Sequence, residues 1–159
     1  MKFINFIFIS IILFNLIGCC SSKDQSPKQT TAQTAKYNIV IGSGGGFTGI
    51  YSGYYIDTLG NITSWEGRVF ADTNLKYITT LSREQLDKIS KLVLDKNVLN
   101  TNYKNSGNIS SYIQLSCKNL KHSVSWSGFE PNESVPVNIR EFHSQLRKII
   151  VDTINRQSH

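Results

Sequence analysis

Six short segments of the chain predict β-strands, some by the alternation of apolar and polar residues and others by their apolar and aromatic content. Where the alternation is regular it predicts a strand with one buried face. In one of these segments Ile109, Ile113 and Leu115 fall on the same face. Lys118-Asn119 then separates this segment from the next, which predicts a two-residue hairpin turn. The six predicted strands span residues 37–41, 50–57, 62–66, 75–79, 109–117 and 120–127.

Two further segments repeat their apolar residues every three or four positions, which predicts amphipathic helices. Ser82 and Gln85 form a capping-box pattern, so the first helix is expected over residues 83–96. Pro136 suits the first turn of the second helix. The expected core residues are Leu86, Ile89, Val93, Ile113, Leu115, Val124, Trp126, Phe142, Leu146 and Ile149. The sequence therefore predicts an α+β domain, an antiparallel sheet of about six strands with two amphipathic helices on one face.

Residues 42–53 contain six of the eleven glycines of the chain. Gly44, Gly46 and Gly49 match a dinucleotide-binding pattern, but the residues that follow predict a strand where that motif requires a helix. Apolar residues between the glycines instead predict a shaped loop, since a flexible linker would lack them. Phe47 in this loop has two interpretations: it contacts a partner, or it covers the core as a lid.

The first 18 residues resemble a bacterial lipoprotein signal peptide. An apolar stretch over residues 3–17 follows Lys2, and Leu16-Ile17-Gly18-Cys19 resembles the lipobox, in which the Cys is acylated and becomes the first residue of the mature chain. Acyl chains would hold the protein on a bilayer through about 0.8 kcal/mol per buried methylene. The alternatives are an uncleaved anchor and an ordinary secretory signal cut nearby.

Residues 19–36 are the lipidated Cys and a polar segment, which cannot bury a core and is therefore predicted to be a flexible tether. A single domain is predicted over residues 37–155. No Asp follows Cys19, which favours the outer membrane if the cell is Gram-negative. The expected location is thus the bacterial cell envelope.

The formal net charge of +6 is partly due to lysines of the front segment. From Tyr37 onward the chain has thirteen basic and ten acidic residues and no run of Lys or Arg. Nucleic acid is therefore not expected as a partner.

Candidate catalytic and metal-binding residues are few. His122, His143 and His159 lie apart from one another, and no established catalytic or metal-binding motif occurs. The sequence predicts a protein that is not an enzyme and has neither cofactor nor metal site, unless the fold places His122 or His143 against a carboxylate in a cleft. Cys20 lies in the tether, so Cys117 is expected to be a buried free thiol.

The predicted domain has a first strand running into Gly45-Gly46-Phe47-Thr48-Gly49, a strand ending at Asp57, a helix opened by residues 81–86, and a hairpin over residues 111–126 before the last helix. In these features residues 37 to about 150 resemble the emfourin family, small bacterial inhibitors of thermolysin-like zinc metalloproteases. The resemblance implies a non-catalytic protein-binding module whose partner is a secreted metalloprotease. It transfers no inhibitory residues one by one, so Gly45, Gly46, Phe47 and Gly49 are named only as the candidate contact loop. Residues 60–79 and the lipoprotein front end are additions to the family pattern.

Two alternatives remain at this level. The aromatic residues around the glycine-rich stretch are either packing residues or an exposed binding patch; they are Phe47, Tyr51, Tyr54, Tyr55 and Trp65. The protein itself is either the binding module described above or an envelope lipoprotein with a structural or assembly role and no inhibitory activity.

Overall fold

The computed structural model describes residues 37–70 and 74–157. All six segments predicted as strands are strands, and both amphipathic segments are helices, which confirms the predicted α+β fold. The strands are β1 (Asn38–Gly45), β2 (Ile50–Ile56), β3 (Asn61–Gly67), β4 (Lys76–Thr80), β5 (Ile109–Cys117) and β6 (Leu120–Ser127). The helices are α1 (Arg83–Asp95) and α2 (Val137–Gln157). The predicted signal peptide, Cys19 and the tether lie outside the described residues.

The strands form one antiparallel sheet in the order β4-β3-β2-β1-β5-β6. β1 is a central strand, with β2 on one side and β5 on the other. Residues of β1 and β5 that pair with each other are about seventy positions apart in the sequence, so this pairing has a large loop-closure cost. The two hairpins β1–β2 and β5–β6 are joined across this central pair.

α1 begins at the predicted residue and ends one residue before the predicted end. The Ser82 amide donates to Gln85 Oε1 at 2.8 Å and the Gln85 amide donates to Ser82 Oγ at 3.2 Å, so both halves of the capping box form. Asn97 adopts a left-handed conformation directly after the last turn of α1, as a helix-terminating residue does. Neither helix of the described ranges is long and apolar enough to cross a membrane.

The two helices lie antiparallel to each other on one face of the sheet. The Gln85 side chain near the start of α1 donates to Thr153 Oγ1 near the end of α2, and the Asn138 side chain at the start of α2 donates to the Lys96 carbonyl. All ten predicted core residues are buried in the single cluster between helices and sheet. We call this side of the sheet the helix face and the opposite side the outer face.

The outer face carries a second packed group, made of aromatic residues. Trp65 is buried there, and the Phe70 ring packs edge-on against it with a centroid distance of 5.6 Å. Phe70 also contacts Tyr55, at 5.2 Å, so the segment after β3 folds back over the sheet. The Trp65 ring lies against Gly42. A Cβ atom at position 42 would clash with the indole, so glycine makes room for the ring. Trp65 is therefore a packing residue, as one of the two interpretations of the aromatic residues predicts.

Candidate functional site

The predicted glycine-rich loop over residues 42–53 is much shorter in the structure, and that part of the prediction is wrong. β1 continues through Gly45 and β2 begins at Ile50, so only residues 46–49 form a turn. Glycine has a low propensity for strands, yet β1 pairs with a neighbour on each side up to Gly45. The tertiary hydrogen bonds therefore outweigh the local preference.

Hydrogen bonds fix the backbone of this turn at both ends. The Gly46 amide donates to the Asn108 carbonyl at 2.6 Å, which ties the turn to the segment before β5. The Gly49 amide donates to the Gly45 carbonyl at 3.2 Å, and Thr48 Oγ1 accepts from the Ile50 amide at 3.2 Å. The four residues thus form a closed turn on a paired hairpin.

All three candidate glycines have a positive φ, and two of them show why glycine is needed. Gly49 has φ +65°, a left-handed conformation that glycine adopts without steric cost. At Gly45 a Cβ atom would lie 2.8 Å from the Asn108 carbonyl oxygen. The glycines therefore shape the turn and let it approach β5 closely.

Phe47 lies at the tip of the turn, and its side chain is fully exposed. The interpretation of Phe47 as a lid on the core is thus excluded. The structure brings all four predicted contact residues together, because Gly45, Gly46 and Gly49 position the backbone on either side of Phe47.

Other exposed apolar residues lie at the same end of the sheet, which sequence reasoning missed. Ile50 pairs with Gly45 and is exposed. The Gly128 amide donates to the Ile109 carbonyl, and Ile109 pairs with Gly45. The next residue, Phe129, is exposed as well. We call Phe47, Ile50 and Phe129 the tip patch. Only the register of β1 with β5 places Phe129 here, so the sequence alone offers no signal for it.

A groove on the helix face begins beside the tip patch. Ser43 of β1 pairs with Ser52 of β2 and with Ser111 of β5, so the three serines lie side by side on the helix face. The next paired residues on this face, toward the start of β1, are apolar. The groove has a volume of about 670 Å³ and is also lined by side chains of α2 and of the segment after β6. Ser111 Oγ donates to the Phe129 carbonyl at 3.0 Å and thereby holds the backbone of Phe129 to β5.

His143 lines this groove near a carboxylate, which is the arrangement that would favour an enzyme. Its Nδ1 lies 3.7 Å from Glu130 Oε2, too far for a hydrogen bond, and Glu130 forms an ion pair with Arg147. The His143 ring instead packs edge-on against Trp126, and burial lowers the pKa of its imidazole. His143 and Glu130 thus meet in the groove without a hydrogen bond between them.

The remaining candidate residues occupy other places. His122 is half-buried at the helix face of β6, where its Nε2 is buried without a hydrogen-bond partner among the described residues. Cys117 is a free thiol that is half-buried rather than buried as expected, and it packs against the core. No group of His, Cys, Asp and Glu within the described ranges has the arrangement of a metal site.

No protein-family model matches the sequence, and no curated protein matches it.

The turn allows a test that separates contact from packing. Replacing Phe47 with Ala should change the free energy of unfolding by less than about 0.5 kcal/mol, because an exposed side chain loses no packing. Replacing Gly49 with Val should destabilise the protein by about 1–3 kcal/mol, because a β-branched residue is strained at a positive φ. Chemical denaturation of the full-length variants measures both. A loss of ~3 kcal/mol or more for Phe47→Ala would mean that this residue is packed.

Proposed function

We propose that this protein is a lipid-anchored, non-catalytic protein-binding module of the bacterial cell envelope, and that its partner binds at the tip patch. The observation that carries the proposal is the full exposure of Phe47 on a turn whose backbone is tied at both ends. Aromatic residues of this kind are over-represented among the residues that dominate binding energy.

Energetic considerations support a contact role for Phe47. Burying a large apolar side chain contributes about 1.5–3 kcal/mol, and the free protein leaves this contribution unused. A turn that is already ordered loses little entropy on docking, so more of that contribution appears as affinity. Ile50 and Phe129 enlarge the apolar surface that a partner would cover.

The turn lies at the end of β1 that is farther from Tyr37. Eight residues of extended strand span about 24 Å, so a partner bound at Phe47 would contact the end of the strand opposite its junction with the front segment.

The partner class that we propose is a thermolysin-like zinc metalloprotease, inhibited as the emfourin resemblance implies. The support is that Gly45-Gly46-Phe47-Thr48-Gly49, the most distinctive segment of the resemblance, forms the end of β1 and the turn after it, with the exposed Phe47 at the tip. A turn of this kind can enter a cleft that a flat surface cannot.

Site-specific photo-crosslinking tests the proposed partner contact. The full-length chain carrying a photoreactive phenylalanine analogue at position 47 should crosslink to one discrete envelope protein, and the Phe47→Asp variant should lose co-purification of that protein. Leu94, an exposed apolar residue on α1, is the matched control position and should give no such product.

Inhibition is measured separately with a purified thermolysin-like metalloprotease. We expect Phe47→Ala to raise the inhibition constant by about tenfold or more and Leu94→Ala to leave it unchanged. Crosslinking at position 47 without inhibition would reject the inhibitor role. The protein would then be a binding module of another kind, such as an assembly lipoprotein. Equal crosslinking at positions 47 and 94, or none at either, would reject the tip patch as the contact.

The lipid anchor has its own test. Mass spectrometry of the membrane fraction should identify acylated Cys19 as the first residue of the mature chain, and Cys19→Ser should accumulate as unprocessed precursor. A mature chain that begins at another residue would contradict the anchor without affecting the contact proposal.

A further inference from the structure

The outer face of the sheet, on the side away from the helices, contains two adjoining cavities. Their volumes are about 670 and 320 Å³, within the range typical of ligand sites. Phe70 and Gln114 line both, so the two cavities form one continuous depression. We call it the outer-face cleft.

Aromatic side chains form one side of the outer-face cleft. Phe70 and Tyr55 pack against each other there, and Tyr112 lies beside Tyr51 with a ring centroid distance of 6.0 Å. Burial, with a smaller effect of Tyr51, raises the pKa of the Tyr112 hydroxyl. The rings are half-buried, so their positions are fixed by packing while part of each remains accessible.

The floor of the cleft is polar and made of short side chains. Gln114 is exposed at its centre, opposite Ser123 on β6, and Ser125 follows on the same face. The far side is formed by residues 102–106, which run beside β6 and form a bridge between Lys104 and Ser125. Amide and hydroxyl groups thus lie between the aromatic rings and a basic side chain.

The charge of the cleft has a single sign among the described residues. Lys104 and Lys121 line the larger cavity and Arg68 lines the smaller one. None of the described residues that line the two cavities is acidic. A ligand of complementary chemistry therefore carries negative charge together with many hydrogen-bonding groups.

We propose that the outer-face cleft binds a carboxylate-bearing glycan. The C–H faces of sugar rings stack on aromatic rings, whose faces carry partial negative charge. Sugar hydroxyls can exchange hydrogen bonds with Gln114 and the serines, which offer both donors and acceptors. The carboxylates would pair with Lys104 and Lys121. A protein partner is disfavoured, because the centre of a protein interface is apolar whereas the centre of this cleft is polar.

This proposal does not depend on the tip patch, which lies at the end of the sheet. The two sites can therefore fail separately. Phe47→Asp should leave glycan binding unchanged, and a loss of glycan binding should leave crosslinking at position 47 unchanged.

Calorimetric titration of the full-length chain in detergent micelles tests the proposal. The probes are oligogalacturonate, oligomannuronate and hyaluronan oligosaccharides, each compared with its methyl ester, which keeps the rings and linkages but removes the charge. We expect at least one acidic oligosaccharide to bind, its ester to bind about tenfold more weakly or worse, and the affinity to fall with added salt.

Charge-reversal variants localise the binding. Lys104→Glu with Lys121→Glu should weaken binding by about tenfold or more, and Gln114→Ala should weaken it without changing net charge. Lys91→Glu with Lys148→Glu, at exposed positions on the two helices, gives the same change in net charge and should have little effect. Circular dichroism establishes that each variant is folded.

The proposal is overturned by any of four outcomes. These are binding of no acidic probe, equal binding of acid and ester, an equal effect of the helix control variant, and tighter binding of polyphosphate or oligothymidylate than of every acidic glycan. The last result would identify a phosphate polymer as the ligand chemistry.

Discussion

β1 is hydrogen bonded to neighbouring strands on both sides, and the rest of the domain is arranged around this one strand. It pairs with β2 through Gly45 on one side and with β5 through Gly45 on the other. The alternation of its side chains defines the two faces of the sheet, since Ile39 faces the helices and Val40 faces the opposite side. Because the two pairings extend to the last residue of β1, the turn that follows starts from a fixed backbone. The pairing of β1 on both sides thus fixes the start of the short turn, and no longer loop is needed to hold it.

The same strand separates the two proposed binding surfaces. The tip patch lies at the end of the sheet, and its residues come from the β1–β2 turn and the segment after β6. The outer-face cleft lies across the middle of the sheet, where Gly42 leaves space for Trp65 and thereby lets Phe70 pack above it. One glycine pattern thus serves two purposes: glycines at the end of β1 shape the turn, whereas Gly42 accommodates an aromatic ring. The two proposed sites are made of different residues, so occupation of one would not require the other to be empty.

Local sequence signals predict much of the fold. Ser82 and Gln85 fix the start of α1, and Lys118-Asn119 closes the β5–β6 hairpin, because each signal depends on residues only a few positions apart. The register between β1 and β5 depends on residues about seventy positions apart, so no local pattern shows that Gly42–Gly45 belong to a strand or that Phe129 joins the tip patch. The groove and the outer-face cleft are equally invisible in the sequence. Phe70 follows a segment with the composition of an ordinary loop, and only the tertiary fold places it on Trp65.

The central claim is that the turn is ordered before it meets a partner, and amide hydrogen exchange of the free protein tests it most directly. The Gly46 amide donates to Asn108 and the Gly49 amide donates to Gly45, whereas the Phe47 amide has no acceptor in the described structure. We predict that the Gly46 and Gly49 amides exchange at least roughly tenfold more slowly than in an unstructured peptide, while the Phe47 amide does not. Exchange of all three amides at the unstructured rate would show that the turn is not fixed in the free protein, and would contradict the account.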